Sequence, residues 1–148
     1  MTREMNIFFG NDHAGYERKK DIISYFESEA MEEFDISCID CGTHDGNSCD
    51  YPDFTNLTIR NFNELNKKDN SLIVLICGSG IGVSIAANRH HNIRAALCRT
   101  TEDARLSRIH NHANCICLGS RMTDLRTCIE IIAEFISTFP SDEDRHKQ

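Results

Sequence analysis

Apolar residues occur in two spacing patterns along this chain of 148 residues. Short unbroken apolar runs are typical of parallel strands covered on both faces, whereas apolar residues that recur every three or four positions are typical of helices with one buried face. The runs predict five strands, at residues 5–9, 35–40, 72–77, 93–98 and 115–118. The helical spacing predicts five helices, at residues 16–30, 53–65, 83–88, 101–114 and 125–139.

Strands that alternate with helices predict an α/β protein, a Rossmann-like three-layer αβα sandwich with a five-stranded parallel sheet in the order 2-1-3-4-5. We expect one domain over residues 1–148, since a domain usually holds about 100–200 residues. Residues 141–148 are polar and contribute no core residues of their own. If this tail is ordered, another surface must hold it, and we expect the C-terminal helix and tail to be exchanged against a partner subunit.

The third predicted strand and the loop after it carry the clearest chemical signal. The run Leu72-Ile-Val-Leu-Ile-Cys77 is followed at once by Gly78-Ser-Gly-Ile-Gly82 and then by a helix. The glycines allow a sharp turn with exposed N–H groups, and the partial positive charge at a helix start favours an anion. Because Cys77 is the last strand residue, the sequence predicts a thiol beside an anion-binding nest.

A second set of reactive side chains is expected near this nest. In the predicted strand order, the first and third strands flank the point where the order reverses, and ligands bind there beyond the carboxyl ends of the strands. The loop after the first strand carries Asp12 and His13. We therefore expect these two side chains and Cys77 to share one crevice.

The glycine-rich loop fits no common nucleotide-binding pattern. A dinucleotide fingerprint requires a glycine where Val83 stands, and a nucleotide P-loop requires a lysine that this loop lacks. A cysteine phosphatase loop would need an arginine at the position of Val83. What remains is a nest of N–H groups suited to a developing enediolate, whose charge lies on carbon-bound oxygens.

Composition excludes several classes of function. A formal net charge of −7 argues against a general nucleic-acid or anionic-membrane partner. The N-terminus leads straight into a strand instead of the apolar segment of a signal peptide, and no apolar run approaches transmembrane length. We expect a cytoplasmic protein without a membrane partner.

Eight cysteines raise the question of disulfides or zinc. Without a secretion signal, disulfides are not expected, and reduced thiols packed in the core are the simpler interpretation. The group His110, His112, Cys115 and Cys117 leaves open the alternative of a small zinc-stabilised interaction protein.

Several motifs, in this order, resemble one known family over nearly the whole chain. They are Asp12-His-Ala-Gly15, Asp50-Tyr-Pro52, Ile76-Cys-Gly-Ser-Gly-Ile-Gly-Val-Ser-Ile-Ala-Ala-Asn88, Ile93-Arg-Ala95, Leu106-Ser-Arg-Ile-His-Asn111, Leu118-Gly-Ser-Arg121 and Arg145-His146. The chain is similar in these motifs to the type B ribose-5-phosphate isomerases, together with the galactose-6-phosphate isomerase subunits.

The resemblance implies a metal-independent aldose–ketose isomerase without a cofactor. It would interconvert ribose 5-phosphate and ribulose 5-phosphate, a step of the non-oxidative pentose phosphate pathway, through an enediolate. Cys77 would be the base that moves a proton between C1 and C2, because a thiol beside N–H donors becomes partly thiolate. Ser79 would relay a proton between the two oxygens, while Asp12 and His110 would open the furanose ring.

The resemblance also implies the residues that bind the substrate. N–H groups of Gly78, Ser79, Gly80 and Gly82 would hold the enediolate oxygen, and Tyr51 would line the sugar site. The phosphate would be met by His13, Arg121 and Arg145. In the family, His110 and Asn111 belong to the neighbouring subunit, so we expect a homodimer with shared active sites, or a tetramer built from it.

This chain departs from the family at two places. Ser79 stands where many members carry threonine, so that a hydroxyl is retained. Relatives often carry a second arginine beyond the position of Arg145, whereas this chain stops at Gln148. Asp142-Glu-Asp144 lies next to Arg145 and would weaken its attraction for a phosphate.

Two alternatives for the function remain open. Within the isomerases, galactose 6-phosphate or allose 6-phosphate is the competing substrate, because one residue pattern does not separate a pentose from a hexose. Outside them, a non-catalytic phosphate-binding module of the same fold would keep the nest but would not need the thiol of Cys77.

Overall fold

The computed structural model describes residues 3–29, 31–42, 51–65 and 70–140, except for the side chains of residues 51 and 52. The strands are β1 (Arg3–Asn11), β2 (Phe34–Asp40), β3 (Ser71–Cys77), β4 (Ala95–Leu97) and β5 (Cys115–Gly119). The helices are α1 (Tyr16–Ser28), α2 (Tyr51–Glu64), α3 (Ile81–Asn88), α4 (Thr101–Asn111) and α5 (Leu125–Ser137). A short 3₁₀ turn, His13–Gly15, joins β1 to α1.

All strand pairs in the sheet are parallel, and the strand order is β2-β1-β3-β5-β4. The α/β class is confirmed, but the predicted order 2-1-3-4-5 is wrong for its last two strands. All five residues of β5 are buried, whereas the three residues of β4 are only half-buried. A strand that is apolar on both faces suits the interior of a sheet, and a short strand suits its edge, which explains the exchange of places.

Two apolar clusters cover the two faces of the sheet. Successive strand residues point to opposite faces, so Phe9 joins the cluster that contains α1 and α5, while Phe8 joins the one that contains α2 and α3. On the second face, Phe8 meets Phe62 of α2 edge to face, with the ring centroids 5.8 Å apart. The predicted three-layer arrangement is therefore confirmed for the described residues.

The last helix, α5, packs against its own sheet. Its apolar stripe shares a cluster with residues of β3, β5 and α1, and consists of Cys128, Ile131, Ile132, Phe135 and Ile136. A helix that buries this stripe within its own chain is not exchanged, so the predicted exchange of the C-terminal helix is corrected. The tail, residues 141–148, lies outside the described residues, and so does its predicted exchange.

Element boundaries differ from the predicted ones by a few residues, most clearly in β1, β4 and α2. β1 extends further at both ends, and β4 covers only half of the strand predicted at residues 93–98. α2 begins at Tyr51, which puts Asp53 in its first turn instead of at its cap. Within the described parts of the chain, no helix has both the length and the apolar character needed to cross a membrane.

A buried lysine ties α1 to the end of β2. The ammonium of Lys19 is 2.7 Å from Asp40 Oδ1 and donates to the carbonyl oxygen of Gly42 at 3.2 Å. The side chain of Lys19 is only 1% exposed, whereas that of Asp40 is 38% exposed. Asp40 Oδ1 also accepts from the Gly42 N–H at 3.1 Å. A buried ammonium is stable only when it is paired, so these contacts fix the start of the segment after β2.

We predict that Lys19→Met lowers the free energy of unfolding by about 2 kcal/mol, because the Asp40 carboxylate and the Gly42 carbonyl lose their charged donor. Urea unfolding followed by circular dichroism measures this change. The control is Lys20→Met on the same helix, because Lys20 is 57% exposed and its ion pair with Glu17 is at the surface. Equal losses in the two variants would contradict the role given to burial.

Candidate active site

The carboxyl ends of β1, β3 and β5 meet at one edge of the sheet. Asn11 is in register with Ile76, and Cys77 is in register with Gly119. The N–H of Asp12 donates to the Ile76 carbonyl at 3.2 Å, so Asp12 lies directly beside the end of β3. The predicted crevice therefore brings Asp12 and Cys77 to the same edge. Because β5, and not β4, lies next to β3, the turn after Gly119 also borders this crevice. It forms a third wall beside the loops that follow β1 and β3.

The sulfur of Cys77 faces into the glycine-rich loop. The N–H of Gly80 donates to Cys77 Sγ at 3.1 Å, and Gly80 has a φ of 83°, in the left-handed region that favours glycine. This contact holds the sulfur at the glycine-rich loop. The family resemblance implies that the Gly80 N–H donates to a substrate oxygen. In the structure it donates to the thiol of Cys77.

Two cysteines away from the glycine-rich loop have thiols with a raised pKa. Burial raises the pKa of the Cys98 thiol to about 12. It also raises the pKa of Cys38 to about 11, with the nearby Glu27 carboxylate as a second cause. Both thiols stay protonated at neutral pH, because a raised thiol pKa lowers the thiolate fraction at any given pH.

Ser79 stands at the start of α3. Its hydroxyl oxygen accepts the N–H of Ile81 at 3.1 Å, and the residue is half-buried. Gly82 belongs to the first turn of α3, where N–H groups have no earlier carbonyl partner within the helix. The nest predicted from the sequence is thus built by the chain turn at Ser79 and Gly80 and by the first turn of α3.

Asp12 caps the 3₁₀ turn after β1. Its Oδ1 accepts the N–H of Gly15 at 3.1 Å, and its carbonyl oxygen accepts the side-chain N–H of Asn11 at 2.7 Å. A Cβ on Gly15 would lie 2.6 Å from the carbonyl oxygen of Ile76, so only glycine lets this turn pack against β3. Asp12 is buried and held on two sides, while His13 on the same turn is exposed.

Arg121 extends over the glycine-rich loop. Its N–H donates to the Gly78 carbonyl at 2.9 Å. A Cβ built on Gly78 would lie 3.0 Å from Arg121 Nη1, which puts the guanidinium directly above this glycine. A positive charge therefore lies next to the nest, where it would attract an anion. The sequence did not predict that Gly78 leaves space for the Arg121 side chain.

His110 and Asn111 lie at the other edge of the sheet. They end α4, and β5 begins shortly after them at Cys115 and runs to Gly119 beside Cys77. Five strand residues span about 13 Å, since each step advances roughly 3.3 Å. Asn111 lines a cavity of about 300 Å³ with residues of α3 and β4. One chain therefore does not bring these two side chains to Cys77.

Two predicted site residues lie outside the described parts of the structure. They are Arg145 and the side chain of Tyr51, whose backbone begins α2. The alternative zinc site does not form among the residues described. Cys115 and Cys117 are fully buried in β5, and no group of three or more His, Cys, Asp or Glu side chains there could hold a metal ion.

Comparisons with known proteins show the family of this chain. A family model described as Ribose/Galactose Isomerase matches residues 7–148. The chain belongs to this family. The sequence-based assignment to the sugar-phosphate isomerases is confirmed.

Individual members of the ribose/galactose isomerase family cover nearly the same length. Ribose-5-phosphate isomerase B of Mycolicibacterium paratuberculosis is 35% identical over 97% of this chain and 86% of its own. The structure of ribose 5-phosphate isomerase B from Anaplasma phagocytophilum is similar with a TM-score of 0.85 and 41% identity, over 99% of this chain and 94% of that one. The structure of type B ribose 5-phosphate isomerase from Trypanosoma brucei is similar with a TM-score of 0.80 and 42% identity. This similarity covers 99% of this chain and 90% of that one.

The sequence did not explain the small residues that hold the third wall of the candidate site. The hydroxyl of Ser120 donates to the Ala14 carbonyl at 2.9 Å, and its N–H donates to the Cys77 carbonyl at 2.8 Å. A Cβ on Gly119 would lie 2.6 Å from the Ser79 carbonyl oxygen. The only earlier signal was the motif Leu118-Gly-Ser-Arg121, which gave no reason for its small residues.

We predict that Gly80→Ala lowers the free energy of unfolding of this isomerase by about 1–2 kcal/mol, the cost of a left-handed backbone for a residue with a Cβ. The new Cβ would also lie 2.5 Å from Leu97 Cδ1. The control is Gly78→Ala, where a Cβ meets only the movable end of Arg121. This variant should change the free energy by no more than about 0.5 kcal/mol. Urea unfolding distinguishes them, and equal losses would contradict the prediction.

Proposed function

We propose that this isomerase interconverts ribose 5-phosphate and ribulose 5-phosphate through an enediolate. One observation carries the proposal: Cys77 Sγ accepts the Gly80 N–H at 3.1 Å at the sheet edge where Asp12 also lies. A base beside N–H donors and a second acid–base group is what proton transfer between adjacent carbons requires. Relatives named ribose-5-phosphate isomerase B support the choice of a pentose phosphate.

Ring opening is the first step of the proposed reaction. The furanose must lose the proton of its anomeric hydroxyl and gain one on the ring oxygen. Asp12 and His110 share these two transfers, since each is an acid–base group and the step needs one acceptor and one donor. The product is the open-chain aldehyde, with its carbonyl at C1.

Isomerisation follows in the nest. The thiolate of Cys77 takes the proton from C2, the electron pair forms the C1–C2 double bond, and the negative charge moves to the oxygen on C1. N–H groups at Gly78, Ser79 and Gly82 hold this oxygen. The Ser79 hydroxyl relays a proton from the oxygen on C2 to the oxygen on C1, and Cys77 returns its proton to C1. Atoms and electrons balance without an oxidant or a metal.

The phosphate end of the substrate is bound by positive side chains. A sugar phosphate carries about −1.5 to −2 charges at neutral pH. Arg121 lies over the nest beside Gly78, and His13 is exposed at the end of β1. We assign the phosphate to these two side chains, with Arg145 and the sugar contact of Tyr51 retained from the sequence. Local positive charge is needed because the chain as a whole carries a net charge of −7.

The proposed site is completed by a second copy of the chain. His110 and Asn111 lie at the opposite edge of the sheet from Cys77, so the partner's His110 must join Asp12 in ring opening. An apolar surface next to the nest supports association, since Ile81 and Ile85 of α3 are 46% and 54% exposed. We propose a homodimer with shared active sites, and a tetramer of such dimers is the larger alternative.

We place the proposed enzyme in the cytoplasm. Seven cysteines in the described residues are free thiols, among them Cys77. A catalytic thiolate requires a compartment that keeps it reduced, and the cytosol does so through its thiol buffers.

We predict that Cys77→Ala lowers kcat for ribose 5-phosphate by about two orders of magnitude or more, because a positioned base is lost. The measurement is a discontinuous assay of ribulose 5-phosphate formation, run with EDTA because no metal takes part. The control is Cys38→Ala, since Cys38 lies on β2 away from the nest and its thiol stays protonated. Full turnover by Cys77→Ala would assign the base to another residue.

The same assay separates the competing functions. Faster turnover of galactose 6-phosphate or allose 6-phosphate by the unmodified chain would assign it to hexose phosphates. Binding of ribose 5-phosphate without turnover would indicate a phosphate-binding module, and such binding would survive the change of Cys77.

We predict that mixing inactive Cys77→Ala and His110→Ala homodimers restores activity. A hybrid dimer contains one site with both native side chains, so complete exchange should recover roughly a quarter of native activity in a symmetric dimer. The measurement is turnover of ribose 5-phosphate after mixing, with subunit exchange followed by labelled chains. Mixing two Cys77→Ala preparations is the control. Exchange without recovery would put both residues in one chain's site.

A further inference from the structure

A single arginine of α1 contacts both ends of the turn that carries Arg121, and also α5. One guanidinium nitrogen of Arg18, Nη1, donates to the carbonyl oxygen of Thr123 and to Cys128 Sγ, the latter at 3.4 Å. The other, Nη2, donates to the carbonyl oxygen of Ser120 at 3.2 Å. Both carbonyls belong to the turn that carries Arg121. Arg18 therefore holds the two ends of this turn with one planar group.

Other hydrogen bonds also hold this turn. The N–H groups of Met122 and Thr123 both donate to Gly119, and the Arg121 N–H donates to Gly78. The Ser120 hydroxyl reaches the Ala14 carbonyl at the 3₁₀ turn. These bonds fix the first half of the turn. The Thr123 carbonyl, on its second half, accepts from Arg18 and from the Cys128 thiol, the latter at 3.8 Å.

We infer that Arg18 is a positioning residue, which holds the Ser120 and Thr123 carbonyls so that the Arg121 guanidinium stays over Gly78 and meets the substrate phosphate. The inference rests on the proposed function, because it concerns the phosphate of that substrate. Arg18 itself is half-buried beneath the turn, and its hydrogen bonds go to main-chain oxygens and a thiol. Its role is geometric, since two carbonyls spaced along a turn need the fork of an arginine.

Charge alone does not explain this arrangement. A lysine ammonium is a point donor on a flexible stem, whereas the guanidinium presents donors in a fixed plane. Arg18 also faces the Asp124 carboxylate at the start of α5, and the hydrogen bond from Thr127, together with Arg18 and Arg126, lowers the pKa of Asp124. Part of the positive charge of Arg18 is therefore offset locally, which leaves its donor geometry as the main contribution.

We predict that Arg18→Leu raises KM for ribose 5-phosphate about tenfold and changes kcat little, because phosphate binding loses its orientation while Cys77 and Asp12 stay in place. Arg18→Lys should restore less than half of this loss. Arg126→Leu is the matched control on the neighbouring helix, where Arg126 is 91% exposed and forms a surface ion pair with Glu130. A native KM in Arg18→Lys or in Arg18→Leu would overturn the inference.

A double variant separates positioning from general stability. If Arg18 acts through Arg121, adding Arg18→Leu to Arg121→Ala should raise KM no further, since residues that act as a unit are not additive. Additive increases in KM would overturn the inference, and so would a parallel fall of kcat in Arg18→Leu.

Hydrogen exchange tests the inference without any turnover. The Arg121 and Thr123 N–H groups should exchange about tenfold faster in Arg18→Leu than in the native chain or in Arg126→Leu. If the native chain does not isomerise ribose 5-phosphate, the proposed function fails, and exchange still reports on the turn. Unchanged exchange with normal native turnover would overturn the role of Arg18 alone.

Discussion

The hydrogen bond from the Gly80 N–H to Cys77 Sγ is the contact on which the site depends. It exists because Gly80 adopts a φ of 83°, which turns the chain back over the end of β3 just before α3 begins. The same turn lets the Ser79 hydroxyl accept the Ile81 N–H and leaves room for Gly119 beside it. A side chain at Gly80 would disturb these contacts together, because they share one backbone bend.

The order of strands in the sheet determines which segments lie next to this bend. β3 lies between β1 and β5, so the two segments that follow those strands flank the end of β3. From β1 comes Asp12, held by Gly15 and by the Ile76 carbonyl, and from β5 comes the turn with Arg121. An acid–base group, a thiol and a positive charge thus converge from three strands. Only the carboxyl edge of a parallel sheet brings strand ends together in this way.

The elements were predictable from the sequence where apolar spacing is strong, as in β3 and α5, because burial of one face or of both dictates the pattern. Strand order was not predictable. The short edge strand β4 and the interior strand β5 are both apolar in sequence, and they differ in how far the rest of the fold covers them. The residues of the candidate site were likewise predictable only in part. Cys77 and Asp12 were recognisable as chemical groups at strand ends, whereas Gly78 and Arg18 act through contacts between distant segments that spacing does not encode.

The position of His110 argues that this fold cannot complete the proposed chemistry within one chain. α4 runs back from the carboxyl edge of the sheet to its amino edge, as a right-handed crossover between parallel strands requires. Its last residues are therefore separated from Cys77 by the whole of β5, and no rotamer of one side chain spans that distance. A second copy can supply them because α3 exposes Ile81 and Ile85 beside the nest. Under the proposed mechanism, this separation within one chain would make association a condition of activity. A monomer would keep the thiol, the nest and Asp12 but lack the His110 half of ring opening.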